Sequence, residues 1–464
     1  MSRRTAAVRR ASPEVPRWRM AFKIMGCAVG VFFRRVVRRK RKVDSWSLRY
    51  EASVQILRTV SSHALTDEDV AVLREGYESE RQIVLGKIAK IQRLSLSVPQ
   101  QIVNGCCAEP LRIHHIVAEW IRPCVFLASY SPAPAQVAPD QPSAPPPSAG
   151  VPPPKGGART PDPIGSFEWI ASPAEAVPEQ RGALSSSAPI PPAAAPLAGA
   201  RAHPCRVILY FHGGSYITGG INSHRRLMSQ LAVAAGVPVL GVNYRRMPLH
   251  TFDEVLQDAA LAFHHLSEEL RYPAKDIAIA GDAAGAHLAI SLVLHRKERS
   301  QELPGAIVGL SPWIDPLGCS PTSVESWMKH SEYDPLACSA SLVNVARMCI
   351  QNHKYASLLP HSAGAPGLLG NGRSLAWFPR CLLQVGSLEC LAGPTEEFAR
   401  HLKVWGASVQ LEVFRDQIHC FHMFERASGE AQRAIATAGA FLKAVEADVK
   451  QPNELDAIRT NTKE

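Results

Sequence analysis

The sequence predicts an α/β protein built on a mostly parallel sheet flanked by helices, and three observations carry that reading. From Cys205 to about Val445, strand-like and helix-like segments alternate. The strand segments are apolar throughout instead of alternating, as strands covered on both faces are. Two turns rich in small residues, His212-Gly213-Gly214-Ser215 and Gly281-Asp282-Ala283-Ala284-Gly285-Ala286, each follow directly on a strand.

Taken in order, the chain opens with a basic tail. Residues 1–43 hold 14 Arg and Lys against one acid, Glu14, while the rest carries 37 basic and 40 acidic residues. The formal charge of +10 is therefore a property of the tail, and the folded part gives no reason to expect nucleic-acid binding. Within the tail, the apolar run Ile24–Phe33 lies between basic residues and is shorter than the ~20 residues that a bilayer crossing needs. It reads as a short interfacial anchor on anionic lipid, an Arg-rich targeting segment, or part of a disordered tail.

From Asp44 to Ser97 the pattern is helical, with Thr66 and Asp69 spaced as a capping box that opens a helix running to about Leu94. Leu111–Ile121 reads as one strand ended by Pro123. Between Ser131 and Pro204 fall 19 of the chain's 37 prolines, a composition too poor in large apolar side chains to offset chain entropy. The island Ser166–Ile170 inside it repeats the Glu-Trp-Ile of residues 119–121 and is a weak strand candidate.

Beyond the insert come strand Val207–Phe211, helix Arg225–Ala235, strand Val237–Val242, helix Phe252–Glu269 and strand Ile277–Ala280. Helix His287–Lys297, strands Ala306–Leu310 and Cys381–Val385, helix Pro394–Trp405, strand Val409–Phe414 and helix Ala431–Val445 complete the alternation. The organisation expected is thus a basic tail (1–43), helices with the first strand or strands (44–130), a flexible insert (131–204), the α/β core (205–446) and a polar tail (447–464). The 11 cysteines are unpatterned, which argues for reduced thiols; Cys319, Cys349 and Cys381 are expected to be small core residues. No Cys/His grouping has zinc spacing, so neither metal nor cofactor is expected.

Adjacent glycines in the first turn let backbone N–H groups point at a developing oxyanion. The second turn has the small residues that a strained strand-to-helix elbow needs, with residue 283 lifted at a helix N-terminus. Together with HGGSYITGG at 212–220 and GDAAGAHL at 281–288, the stretches NYR (243–245), LSPWID (310–315), QVGSLECL (384–391) and IHCF (418–421) occur in one order and spacing. In these the sequence resembles the hormone-sensitive-lipase-like branch of α/β-hydrolases, which includes fungal and bacterial acetyl-esterases and steryl acetyl hydrolases.

The resemblance implies an α/β-hydrolase fold with residues 44–94 contributing to a helical cap. It implies Gly213, Gly214 and Ala284 as oxyanion-hole donors, His419 as general base and Glu389 as the carboxylate that orients it. Ala283 takes the nucleophile's position, where the family has serine. Ala286 and Ser215 also stand where the family has glycine. Taken alone, His419 could be an ordinary loop histidine, with His422 as competitor for the base, and Glu389 an exposed carboxylate. His212 and Asp282 read as loop-fixing groups, and Ser215 as a filler of the third-glycine slot.

Without a serine at 283, the expectation is an esterase-like or lipase-like protein with little ordinary ester hydrolysis and a retained pocket for a small apolar ester or lipid-like ligand. The alternative is an active carboxylic-ester hydrolase or lyase-like enzyme that works through His419 and the oxyanion hole. Whether the chain is an enzyme is left open by the residues themselves. An intracellular location is expected, with membrane association at the endoplasmic reticulum or another organelle surface if residues 1–43 act as an anchor.

Overall fold

The computed structural model describes residues 42–61, 65–97, 102–103, 106–123, 205–359 and 374–444, with scattered positions between 23 and 31. The Pro-rich insert with its Ser166–Ile170 island, the C-terminal tail and most of the basic tail lie outside the described residues.

Eight strands form one sheet: β1 (Cys106–Ile113), β2 (Ile116–Pro123), β3 (Val207–Phe211), β4 (Val239–Asn243), β5 (Ile277–Asp282), β6 (Ala306–Leu310), β7 (Arg380–Gly386) and β8 (Val409–Phe414). Their spatial order is β1-β2-β4-β3-β5-β6-β7-β8, parallel from β4 through β8, with β2 antiparallel to β4 and β1 antiparallel to β2. The chain leaves β3 on one side to make β4 and returns on the other to make β5. That reversal opens a crevice beyond the carboxyl ends of β3 and β5.

The expected single strand Leu111–Ile121 is instead a hairpin, turning at His114-His115 with His114 at φ 51°. A two-residue turn needs left-handed backbone, and histidine adopts it here without the Gly or Asn that would mark it in sequence.

The helices are α1 (Leu48–Ser61), α2 (Asp67–Glu75), α3 (Glu78–Ser97), α4 (Ile221–Ala235), α5 (Phe252–His264), α6 (Ala284–Glu298), α7 (Pro321–His330), α8 (Ala340–Ile350), α9 (Ala392–Val404) and α10 (Gly429–Lys443). The capping box at Thr66 and Asp69 forms, but the helix it opens breaks at Gly76 before α3. Helices α7 and α8 were not legible in the strand-helix alternation; Ser320 caps α7, with Pro321 at its first position. Among the described residues, no helix is long and apolar enough to cross a membrane.

All residues of β3, β5, β6 and β7 are buried, which is why their sequence is apolar without alternation. Val207, Leu209 and Phe211 face one core with Phe263, Leu288 and Ile290, while Ile208 and Tyr210 face the other with Leu227, Leu231 and Ile435. Of the cysteines expected in the core, Cys381 is buried but Cys319 and Cys349 are exposed, because they lie outside the strands in the α7–α8 region.

A third, smaller cluster joins the N-terminal region to the site. Trp46, Tyr50 and Val54 pack with Phe414, Ile418 and Phe421, and the Trp46 Nε1–H donates to the Asp416 carbonyl at 2.6 Å. Helix α1 thereby braces the loop after β8.

Candidate active site

The loops after β3, β5, β6, β7 and β8 converge at the carboxyl edge of the sheet. The elbow between β5 and α6 turns at Ala283, whose φ of 47° and ψ of −114° lie in a region costly to a residue with a side chain. Two things hold it there. Ala283 N–H donates to Leu310 O at 3.0 Å and its carbonyl accepts from Trp313 N–H at 3.1 Å. Gly285 lies so close to β3 that a Cβ would overlap the Phe211 carbonyl. The strain that lifts a nucleophile in such elbows is thus present at 283, under a methyl group.

Helix α6 starts without a side-chain cap, so the Ala284 N–H points out of the helix with no partner among the described residues. Gly214 N–H is likewise unspent, in a loop where Gly214, Ser215 and Tyr216 all have positive φ (114°, 53° and 60°). Gly213 is different. Its N–H donates to Asp282 Oδ1 at 3.0 Å, so this expected oxyanion donor is already satisfied by a buried carboxylate and is removed from the donor set. The N–H groups of Gly214 and Ala284 have no such partner among the described residues.

Asp282 is the organiser of this corner. It also accepts from the Tyr210 hydroxyl at 2.7 Å and from His224 Nε2 at 3.2 Å. Burial would raise its carboxyl pKa, but the His224 imidazolium and these hydrogen bonds outweigh burial and hold it below the ordinary range. His224 is correspondingly raised: burial acts against its charge, and Asp282 prevails. His212 is neutral, pushed down to about 3 by burial, with Nδ1–H donated to the Gly213 carbonyl at 2.8 Å and its ring stacked on Tyr244.

On the opposite side, two loops zip together. Ser387 N–H donates to Phe414 O, Leu388 N–H to Gln417 O and Asp416 N–H to Ser387 Oγ, each at 2.9 Å. This places Glu389, fully buried, beside His419, with Oε2 at 3.2 Å from Nδ1, while Oε1 accepts from Gly386 N–H at 2.9 Å. Glu389 is therefore no exposed carboxylate; burial raises its pKa against the pull of His419. Burial opposes charge on His419 as well, yet the Cys420 sulfur and the Glu389 carboxylate outweigh it and hold the imidazole above its usual range. His422 does not compete. Its Nε2–H donates to Gln384 Oε1 at 3.1 Å on the far side of the loop, and burial pushes it down to about 3.

One participant had no sequence expectation attached. Cys420 has a left-handed backbone (φ 52°, ψ 35°), and its Sγ lies 3.4 Å from His419 Nε2 and 3.7 Å from Asp282 Oδ2. Its N–H donates to Ser311 Oγ at 3.0 Å, tying it to the segment that also holds Ala283. The available signal was a thiol directly after the candidate base. A cavity of about 300 Å³ is lined by Trp313, Val343, Cys390 and Leu391 among others. Of these, Trp313 also donates to the Ala283 carbonyl, and Cys390 follows Glu389 in the chain. Among the described residues, no group of His, Cys, Asp and Glu could hold a metal ion.

Comparison with known proteins agrees with this architecture. A family model described as alpha/beta hydrolase fold matches residues 208–423. An acetyl-hydrolase of Streptomyces hygroscopicus is 33% identical over 238 residues, 51% of this chain and 75% of the relative. An esterase of Acinetobacter venetianus is 28% identical over 249 residues, 54% of this chain and 78% of the relative. Among solved structures, the hormone-sensitive-lipase homologue EstE7 from a metagenome library shares the fold, with a TM-score of 0.53 at 18% identity over 84% of this chain and 96% of that one. With its sheet, elbow and converging loops, the chain belongs to the esterase- and lipase-like α/β-hydrolase family, on the hormone-sensitive-lipase-like branch.

Proposed function

We propose that this chain binds small apolar esters or lipid-like acyl compounds at the β3–β5 crevice, that Ala283 closes the serine route of hydrolysis, and that whatever turnover remains depends on His419. The observation that carries this reading is the contrast at the elbow. Residue 283 keeps the strained backbone but offers only a methyl group, while His419 and Glu389 stay paired at 3.2 Å. Gly214 and Ala284 supply the oxyanion donors. The names of two relatives, the Streptomyces acetyl-hydrolase and an ethyl acetate hydrolase of Pseudomonas putida 30% identical over 234 residues, favour a short acyl group. The basic residues of 1–43 favour contact with an anionic membrane surface inside the cell, where lipid-like esters are at hand.

Loss of a triad nucleophile costs about 10⁶ in turnover, and the remaining oxyanion hole and binding supply about 10³–10⁴ over water. Turnover of p-nitrophenyl acetate and butyrate by the full chain should accordingly sit near background, and Ala283→Ser should raise it at least tenfold. Robust turnover of the parent that survives His419→Ala would overturn the role given to His419. No gain in Ala283→Ser would show that the oxyanion and base geometry does not serve position 283.

A further inference from the structure

Ala283 leaves His419 Nε2 with no hydroxyl to activate, yet that nitrogen is not idle. The Cys420 thiol sits against it at 3.4 Å, and Glu389 holds the other ring nitrogen at 3.2 Å, so thiol, imidazole and carboxylate form a continuous chain of donor and acceptor. We propose that Cys420 is the acyl-accepting nucleophile of this site, taking the place that serine at 283 would have had; this rests on the ester-binding reading above.

The thiol is well sited for it. Cys420 Sγ is 3.7 Å from Asp282 Oδ2, and Asp282 directly precedes the elbow residue Ala283 in the chain. Its residue is only partly buried, unlike Cys381 and Cys390. A cysteine also holds a left-handed backbone there, at φ 52°, where glycine would be the unstrained choice.

The chemistry closes without any further reagent. As Sγ attacks the ester carbonyl carbon, its proton passes to His419 Nε2, and the imidazolium is stabilised by Glu389. The oxyanion is met by backbone N–H groups. The carbon–oxygen bond to the alcohol then breaks, the alcohol leaves with the proton from His419, and a thioester remains on Cys420. Attack by water, with His419 again as base, returns the thiol and releases the acid. Burial, together with the Asp282 and Glu389 carboxylates and against the pull of His419, pushes the free thiol up to about 12. The group is therefore a neutral thiol that reacts only through its base, and because His419 is held above its usual range the neutral imidazole that serves as base is scarce and turnover is slow.

The test is intact-protein and peptide mass spectrometry of the full chain after incubation with p-nitrophenyl acetate, in a Cys319→Ser/Cys349→Ser background that removes the two thiols exposed among the described residues. The expected result is one acetyl group mapped to Cys420, at least tenfold less of it in His419→Ala, and none in Cys420→Gly, a variant whose backbone the site accommodates without strain. Acetylation of Cys420 that persists undiminished in His419→Ala would mark ordinary thiol acylation and overturn the proposal. If the parent stays unmodified while Ala283→Ser is acetylated at position 283, Cys420 is not the nucleophile and the ester-binding reading stands. If neither chain is acetylated, Cys420 is not the nucleophile and the oxyanion and base geometry serves neither position 420 nor position 283.

Discussion

The two halves of the site have been treated differently. At the elbow, everything supplied by backbone is in place: the positive φ at 283, the uncapped start of α6 and the Gly214 loop. Only the side chain at 283 offers no chemistry. In the loops after β7 and β8 the side chains themselves remain, with Glu389 and His419 paired and Cys420 beside them. Backbone features persist because the fold needs them for packing. Gly285 must let α6 lie on β3, and Asp282 must fix the Gly213 loop, whatever the protein does. A side chain that acts only in chemistry has no such support, and one substitution removes it. The His419–Glu389 pair, which buries a carboxylate at a cost, is the informative half.

The sharpest way to break the second half is at its brace. Trp46→Ala removes a buried ring and its hydrogen bond to Asp416, and should cost about 3–5 kcal/mol in urea unfolding. Turnover of the Ala283→Ser variant should fall in the same background as the His419 loop loosens. The elbow has its counterpart in Gly285→Ala, whose Cβ meets backbone of β3; about 1–3 kcal/mol should be lost on the same measurement. A change under about 0.5 kcal/mol there would show that α6 can shift away from the strand.

Smaller effects sharpen the contrast. Ala283→Ser, with at least tenfold gain in p-nitrophenyl ester turnover, is worth about 1.4 kcal/mol of transition-state stabilisation by that measure. Adding Cys420→Gly to Ala283→Ser should raise turnover further, since the thiol no longer competes for His419 Nε2; a fall would show that the sulfur assists. The pH dependence of stability gives the last comparison. His212, His287 and His422 are each pushed down to about 3 by burial, so the unfolded chain takes up protons that the folded one refuses as pH falls below about 6.5. Their contribution is present above the unfolded pKa and lost on acidification. His224 and His419, which are raised, act oppositely: their contribution is present at low pH and lost as pH rises through their folded values. The melting temperature should therefore fall from pH 6.5 toward pH 4, and His422→Gln, which keeps a donor toward Gln384, should flatten the fall by about 1 kcal/mol for the first pH unit. An unchanged slope would mean that His422 is not held neutral.

Much of this was legible in the sequence, for identifiable reasons. β3, β5 and β6 announce themselves because strands covered on both faces must be apolar at every position. His419 and Glu389 are recoverable because each follows a strand whose end abuts the crevice. The hairpin at His114-His115 was hidden by a turn without turn residues. Gly213 was misread because the direction of an N–H depends on where a carboxylate from β5, Asp282, comes to rest. Cys420 escaped for a similar reason. Neighbouring residues do not face one another in regular structure, and only the left-handed turn after His419 brings Sγ back to Nε2.

The bracing of the His419 loop by α1 has a practical corollary for anyone dividing this chain. The α/β pattern starts at Cys205, but a fragment begun there would lack both Trp46 and the β1–β2 hairpin. Phe414, Ile418 and Phe421 would be laid bare, and the outer rim of β4, now paired with β2 from Val117 to Ile121, would present open N–H and C=O groups. Exposed rims of this kind template association between chains, so such a fragment should be sticky and aggregation-prone. The packing around the site reaches back to about Val43, far upstream of the motifs that identify the family.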